Sequence, residues 1–258
     1  MPIGKCKLCN KVGELQDSHV LPNALFKNIF RANKGKAIHF NDDKHTFVRY
    51  ESKSWSEFML CQNCERHINE SYEQESIAAI RNCLSSVRIN KTDTGITFAN
   101  INQKTLQLFL VSILWRAAAS THQAYEKVYL PEPWKEEIRI SILENKKVRS
   151  SLVGIQLRRL SDPSKDGFSL ASLKQLLISP FFRNHGNRFS FCFLIEGFFV
   201  EIFVPGIQAK RRNDLGIVAP NKSILFVPYQ DIFDIPELVQ IMVSGYGKFV
   251  DGKSRIKS

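Results

Sequence analysis

Six cysteines occur in the chain, and four of them form two C-x-x-C pairs, Cys6–Cys9 and Cys61–Cys64. Each pair turns two thiolates toward one ion, and two pairs together complete the tetrahedron of a four-thiolate zinc site. Four protein ligands leave no open coordination position, so such a zinc is structural. Between the pairs lies Asp17-Ser18-His19-Val20-Leu21-Pro22, in which His19 is the residue with chemistry to offer. The cysteines then frame a site, and the histidine belongs to it. Cys83 and Cys192 stand alone among apolar neighbours and are expected to be buried small hydrophobes.

The elements around these residues predict an α+β chain. A small metal module is followed by a larger region of helices and antiparallel sheet, with the boundary in the polar stretch 90–102 and the module taken as residues 1–95. Residues 10–64 read as loops, short strands and a helix near 23–30, and Gly13-Glu14-Leu15 fits a zinc-ribbon turn. Ile68, Tyr72, Ile77, Ile80 and Leu84 recur at helical spacing and predict a helix over 65–85. Further helices are expected over 103–128, 134–144, 169–178 and 235–243, and strands over 152–160 and 223–227. The runs 189–195 and 198–204 flank Glu196-Gly197 as a hairpin. The tail after Gly247 is expected to be loose.

The order C-x-x-C, then Ser-His-Val-Leu-Pro, then Leu-Cys-x-x-Cys-Glu resembles the HNH nuclease superfamily over residues 5–75. That resemblance implies a ββα-metal module stapled by zinc. It also implies an endonuclease that hydrolyses phosphodiester bonds with one divalent ion, Mg2+ or Mn2+. His19 aligns with the general base, whose imidazole can take a proton from water near neutral pH. Glu65 stands where the family has a histidine or asparagine metal ligand, and its carboxylate is a hard oxygen donor suited to these ions. Asn69, four residues on, shares its face and is a second candidate ligand. His67 lies about 200° round the helix from Glu65 and is expected to be exposed or to face phosphate. The chain departs from the family before the base: Ser18 stands where an Asp or His ligand is usual, and Asp17 is one residue further back. Asp17 reaches the metal only if the segment is bulged; otherwise the Ser18 hydroxyl substitutes, directly or through water. The family's middle asparagine is replaced by Ser56, leaving Asn23, Asn28 or Asn41 to orient His19. His39 and His45 lie in the intervening insertion and are expected to do no chemistry, and His122 and His185 have no partner pattern.

Composition widens the reading to partners. The net charge is +11, with fourteen Lys and Arg against eleven Asp and Glu in residues 1–95 and twenty-two against fourteen in 96–258. A basic surface of this kind suits a polyanion, most simply DNA, with much of the grip in the second region. Lys210-Arg211-Arg212, in a loop after Pro205-Gly206, is the best candidate for phosphate contacts. Lys146-Lys147 with Arg149, Arg158-Arg159 and the tail lysines and arginines are further basic clusters. Phe181, Phe182, Phe198 and Phe199 read as core rather than stacking platforms, and Trp115 and Trp134 as core anchors. No apolar run spans a bilayer and the start lacks a signal-peptide core, so a cytoplasmic location without membrane contact is expected. A role in phage defence or restriction, with or without a regulatory protein partner, follows by family analogy. Two rivals remain: a zinc-stapled binding module whose catalytic centre has decayed, and an RNase toxin.

Overall fold

Aromatic and β-branched runs form the strands of the large sheet, such as FSFCFLI and FFVEIFV, while the helices are amphipathic except for α4, which is largely apolar. The structure, a computed structural model, describes residues 1–40 and 49–250. Asn41, His45, Lys253, Arg255 and Lys257 lie outside the described residues. In chain order the elements are β1 (Ile3–Lys5), β2 (Val12–His19), α1 (Asn23–Ala32), β3 (Ala37–Phe40), β4 (Arg49–Glu51), β5 (Ser56–Cys61) and α2 (Gln62–Ile68). A π-helical turn, Asn69–Glu73, joins α2 to α3 (Gln74–Ile80). Then come β6 (Arg88–Lys91), β7 (Gly95–Ala99), α4 (Gln103–Ala119), α5 (Glu132–Leu143), β8 (Gly154–Ser161), α6 (Leu170–Leu173) and β9 (Leu177–Ile178). The remainder are β10 (Phe181–Asn184), β11 (Phe189–Ile195), β12 (Phe198–Val204), β13 (Ile224–Asp231) and α7 (Pro236–Val250).

The described residues form three sheets. β1-β2-β5 is antiparallel and joins the chain segments that carry the two C-x-x-C pairs. A seven-stranded sheet has the order β10-β11-β12-β8-β13-β7-β6, antiparallel except for the parallel pair β13–β8. A small sheet, β4-β3-β9, ties residues 37–51 to the second half of the chain. Alternation along β11 assigns the faces of the large sheet. Phe191, Phe193 and Ile195 join the main core with α4, whereas Cys192 and Leu194 join a second cluster with Leu238 and Ile241 of α7. Cys6, Leu60, Ile68 and Tyr72 belong to the same main core as Leu108, Ile113 and Val227, so apolar packing runs unbroken from the cysteine module into the large sheet. Residue 95 opens β7, an interior strand of that sheet.

Several expected elements differ. Gly13, Glu14 and Leu15 lie in the body of β2; the turn is at Cys6–Lys11, where Asn10 adopts φ 62°. The helix expected from 65 begins at Gln62 and ends at Ile80, because Asn82 takes a left-handed φ of 59°. The helix expected over 103–128 stops at Ala119, where Ser120 turns extended and the Glu57 carboxylate captures Ser120 and Thr121. Of the helix expected over 169–178, only Leu170–Leu173 is α-helical; Leu177 and Ile178 pair instead with His39 and Phe40. The final helix runs on to Val250 and contains Gly247 and the buried Lys248, where a loose tail was expected. Cys83 is exposed, while Cys192 is buried as expected. Phe181, Phe198 and Phe199 are buried, but Phe182 is exposed.

Candidate functional site

The cysteine frame is built from one turn and one strand–helix junction. Cys6 and Cys9 lie in the β1–β2 turn, which the Asn10 N–H closes onto the Cys6 carbonyl at 2.9 Å. Cys61 ends β5 and Cys64 sits in the first turn of α2. All four sulfurs lie within 4.8 Å of one another, and Cys9 Sγ is 3.8 Å from Cys61 Sγ. A tetrahedron with Zn–S bonds of about 2.3 Å has edges of about 3.8 Å. These cysteines can therefore hold a structural metal such as zinc. A hydrogen bond from the Cys64 thiol pulls Cys6 far below the ordinary thiol range, and the same pairing pushes Cys64 up. The set thus already favours a thiolate, the form a metal requires.

The frame fixes β2 against β5, and their register determines which side chains face out. Gln16 pairs with Leu60 and Asp17 with Phe58, so Met59 is an extra residue and the ladder is bulged. Beyond the bulge, Asp17 and His19 turn to one side and Ser18 to the other. Gln16, Asp17 and His19 line an open cleft of about 800 Å³, and Ser18 does not. Ser18 is 0% exposed; its hydroxyl accepts from the Leu60 N–H at 3.0 Å and donates to the Gln16 carbonyl at 3.2 Å.

The opposite wall of the cleft comes from the long helix. Glu65, Asn69 and Glu73 all line it. Four-residue steps keep the first two on one face, and the π-turn carries Glu73 onto the same face. Glu65 Oε1 is buried without a hydrogen-bond partner. Burial raises the Glu65 pKa, against the opposing pull of the Arg116 charge and the Ser18 hydroxyl. His19 Nε2 lies 2.7 Å from Ser54 Oγ. Burial holds the His19 pKa below its ordinary value, although the Asp17 carboxylate pulls it upward.

His19, Asp17, Glu65 and Asn69 thus meet in one cleft, and Ser18 and Lys210–Arg212 lie outside it. Lys210 and Arg212 are exposed on a turn, while Arg211 pairs with Asp214 at 3.0 Å and covers the Phe203 ring. Arg158 is bound to Glu201, and the buried Arg159 donates to the Glu196 carbonyl, so neither is a solvated phosphate contact. His67, expected to be exposed or to face phosphate, is half-buried with Nε2 2.9 Å from the Ile142 carbonyl. This contact with α5 turns it away from the cleft, which it does not line. Ser56 faces His19 across the ladder, Asn23 lines the cleft, and Asn28 is turned to Glu196. His39 is held by Ser179, His122 caps a short turn through Ala124, and His185 is bonded to Ser190.

Three polar residues of the site escape sequence reasoning: Ser54, Glu73 and Arg116. Arg116 is 1% exposed, on a helix whose buried side chains are apolar apart from Gln103, Thr105, Gln107, Ser112 and Arg116 itself. Beyond Lys104 in the first turn it is the one charged residue of that helix, and a charge in the middle of an apolar run is the signal in the sequence that marks it. No family model, curated protein or solved structure matches this chain. Among the described residues no helix is long and apolar enough to cross a membrane.

Proposed function

We propose that the chain is a metal-dependent endonuclease of the HNH type that hydrolyses phosphodiester bonds of DNA, with β2, β5 and α2 as its ββα-metal module. One juxtaposition supports this most. His19 and Glu65 wall the same cleft, and Glu65 Oε1 is buried with no hydrogen-bond partner. An unpartnered buried carboxylate oxygen is costly, and a cation satisfies it. Glu65, with Asn69 and Asp17 on the same cleft, would hold Mg2+ or Mn2+, which supplies charge neutralisation at the scissile phosphate and the leaving 3′ oxygen.

The protein's own residues supply the rest. In the tautomer that donates Nε2–H to Ser54 Oγ, the His19 lone pair sits on Nδ1, and it takes a proton from water once the ring turns off the Asp17 carbonyl that it also meets. The water oxygen then attacks phosphorus as the 3′ oxygen leaves. Burial keeps His19 neutral and so ready to act as a base at pH 7. Arg66 stands on the cleft wall, where Arg81 is already paired with Glu196, and the exposed Lys210 and Arg212 add sequence-independent attraction for a phosphate backbone. A cytoplasmic role in phage defence or restriction, with a regulatory partner, belongs to the same reading by family analogy alone.

Supercoiled plasmid and a structured RNA, each incubated with Mg2+, Mn2+ or EDTA, test this. The expected result is metal-dependent nicking of DNA, reduced about 100-fold or more in His19→Ala. Cleavage by His19→Ala at the wild-type rate would remove His19 as the base. The burial of Ser18, where the family has a ligand, favours the decayed binding module as the second reading. Tight DNA binding with no cleavage in any metal would establish it, and cleavage of RNA alone would establish the toxin.

A further inference from the structure

We propose that Arg116 is a positioning residue for His19, reaching in from α4 to hold the end of β2 and the π-turn in one clamp. The proposal rests on the reading of His19 as the base. Arg116 lies outside the segment that resembles a nuclease. Its Nη1 donates to the His19 carbonyl at 2.7 Å, and its Nη2 donates to Glu73 Oε1 at 2.6 Å. Nε donates to the Ser112 carbonyl at 3.3 Å, and Nη2 also approaches Ser112 Oγ at 3.4 Å. Every nitrogen of the guanidinium is therefore engaged, and both terminal ones hold groups at the cleft.

Stability alone does not account for this arrangement. A buried ion pair is commonly no better than a hydrophobic pair of the same volume, and the other buried polar side chains of α4, Gln103, Thr105, Gln107 and Ser112, are uncharged. What the guanidinium adds is geometry. It is planar, and its two terminal nitrogens address two chain segments at a fixed separation. One segment ends in His19, where β2 leaves its ladder. The other is the π-turn, whose extra residue per turn brings Glu73 round to the cleft face. Locking both fixes the imidazole relative to the Glu65–Asn69 wall, the kind of placement on which rate depends steeply.

The test compares wild type with Arg116→Met, Arg116→Lys and Glu73→Gln, each checked for retained metal and cooperative thermal unfolding. The first readout is DNA cleavage. Arg116→Met should lose about 30-fold or more in kcat with KM changed less than about threefold. Arg116→Lys, a point donor able to reach only one of the two segments, should recover part of the loss, and Glu73→Gln should fall between. The second readout needs no activity. The rate at which diethylpyrocarbonate modifies His19, followed by peptide mass spectrometry, should rise several-fold in Arg116→Met. If wild type fails to cleave, the nuclease reading falls while the modification rate still decides the clamp. An unchanged kcat together with an unchanged modification rate in a folded Arg116→Met overturns the inference, as does a loss confined to KM. Should Arg116→Met fail to fold, Arg116→Lys and Glu73→Gln decide by the same two readouts.

Discussion

The Ser18 hydroxyl is the hydrogen-bond partner of the Leu60 backbone N–H, at 3.0 Å, next to the bulge between β2 and β5. This gives a physical reason for a serine ahead of His19. Met59 is the extra residue there, so the ladder is interrupted and a nearby buried N–H is met by a side chain instead. Ser18 belongs to the frame, and Asp17 and His19 belong to the cleft.

Ser18→Ala should therefore destabilise the fold by about 1–3 kcal/mol, the cost of an orphaned buried donor. In a chain of this size each kcal/mol lowers the thermal midpoint by about 2–4 °C. Ser18→Asp should do more damage, because it places a carboxylate at a position that is 0% exposed. Calorimetry with and without Mn2+ checks both. A Ser18→Asp protein of wild-type stability with tighter Mn2+ binding would show that this side chain faces the cleft after all.

The cysteine frame predicts one tightly held metal per chain. Elemental analysis should find zinc, and Cys61→Ser should lose it. Because the frame joins the main core, metal removal should weaken the whole fold and not only its N-terminal end. The expected loss exceeds about 3 kcal/mol, or roughly 6–12 °C in the thermal midpoint. Retention of both metal and midpoint in Cys61→Ser would mean that the four thiols do not form one site.

What was legible in the sequence was local. The C-x-x-C spacings specify a four-thiolate cluster, and the step from Leu60 through Cys64 marks the strand–helix junction that places Glu65. The hairpin at Glu196-Gly197 is written in a dipeptide that accepts positive φ, here 53° and 75°. What was not legible depends on partners far along the chain. Apolar spacing over 103–128 describes a helix correctly as far as Ala119, but Glu57 ends it from 63 residues away. Leu177 and Ile178 look helical until β3 is there to pair with them. Ser54 is an ordinary residue in sequence and Arg116 stands out only as a charge within an apolar run; both reach His19 only through the tertiary fold. Glu73 needs the π-turn, which no spacing rule announces.

Glu57 offers a test of the join between the frame and α4. Its Oε2 accepts from the Thr121 N–H at 2.8 Å, Thr121 Oγ1 at 3.0 Å and Ser120 Oγ at 3.0 Å, while Oε1 accepts from Lys7 Nζ at 3.1 Å. Burial raises its pKa, but the hydrogen bonds from Thr121 and Lys7 outweigh burial, and the net shift is below the ordinary 4.5. A depressed folded-state pKa means that the unfolded chain takes up the proton first on acidification. The contribution is complete above pH 4.5 and is lost as pH falls through the lower, folded-state value. Glu57→Gln should cost about 2 kcal/mol at pH 7. Urea titrations from pH 7 downward should show the gap to wild type closing below pH 4.5. A gap that stays constant with pH would mean that the charge contributes nothing.

Glu65 predicts a conflict between stability and metal binding. Its folded-state pKa is raised, mainly by burial, so holding the carboxylate charged in the fold costs free energy once pH exceeds both pKa values. Sites that bind cations keep such costs for the sake of the ligand. Without divalent ions, Glu65→Gln should therefore be more stable than wild type at pH 7, on the order of 1 kcal/mol or about 2–4 °C. That advantage should shrink as pH falls through the raised folded-state value toward 4.5, where the wild-type carboxyl becomes neutral. With Mn2+ the order should reverse, because the ion stabilises only the protein that binds it, by an amount that grows with concentration. Thermal midpoints of both proteins across a Mn2+ series at pH 7 measure this directly. Parallel curves for the two proteins would mean that Glu65 holds no cation, and its buried Oε1 would then need another partner.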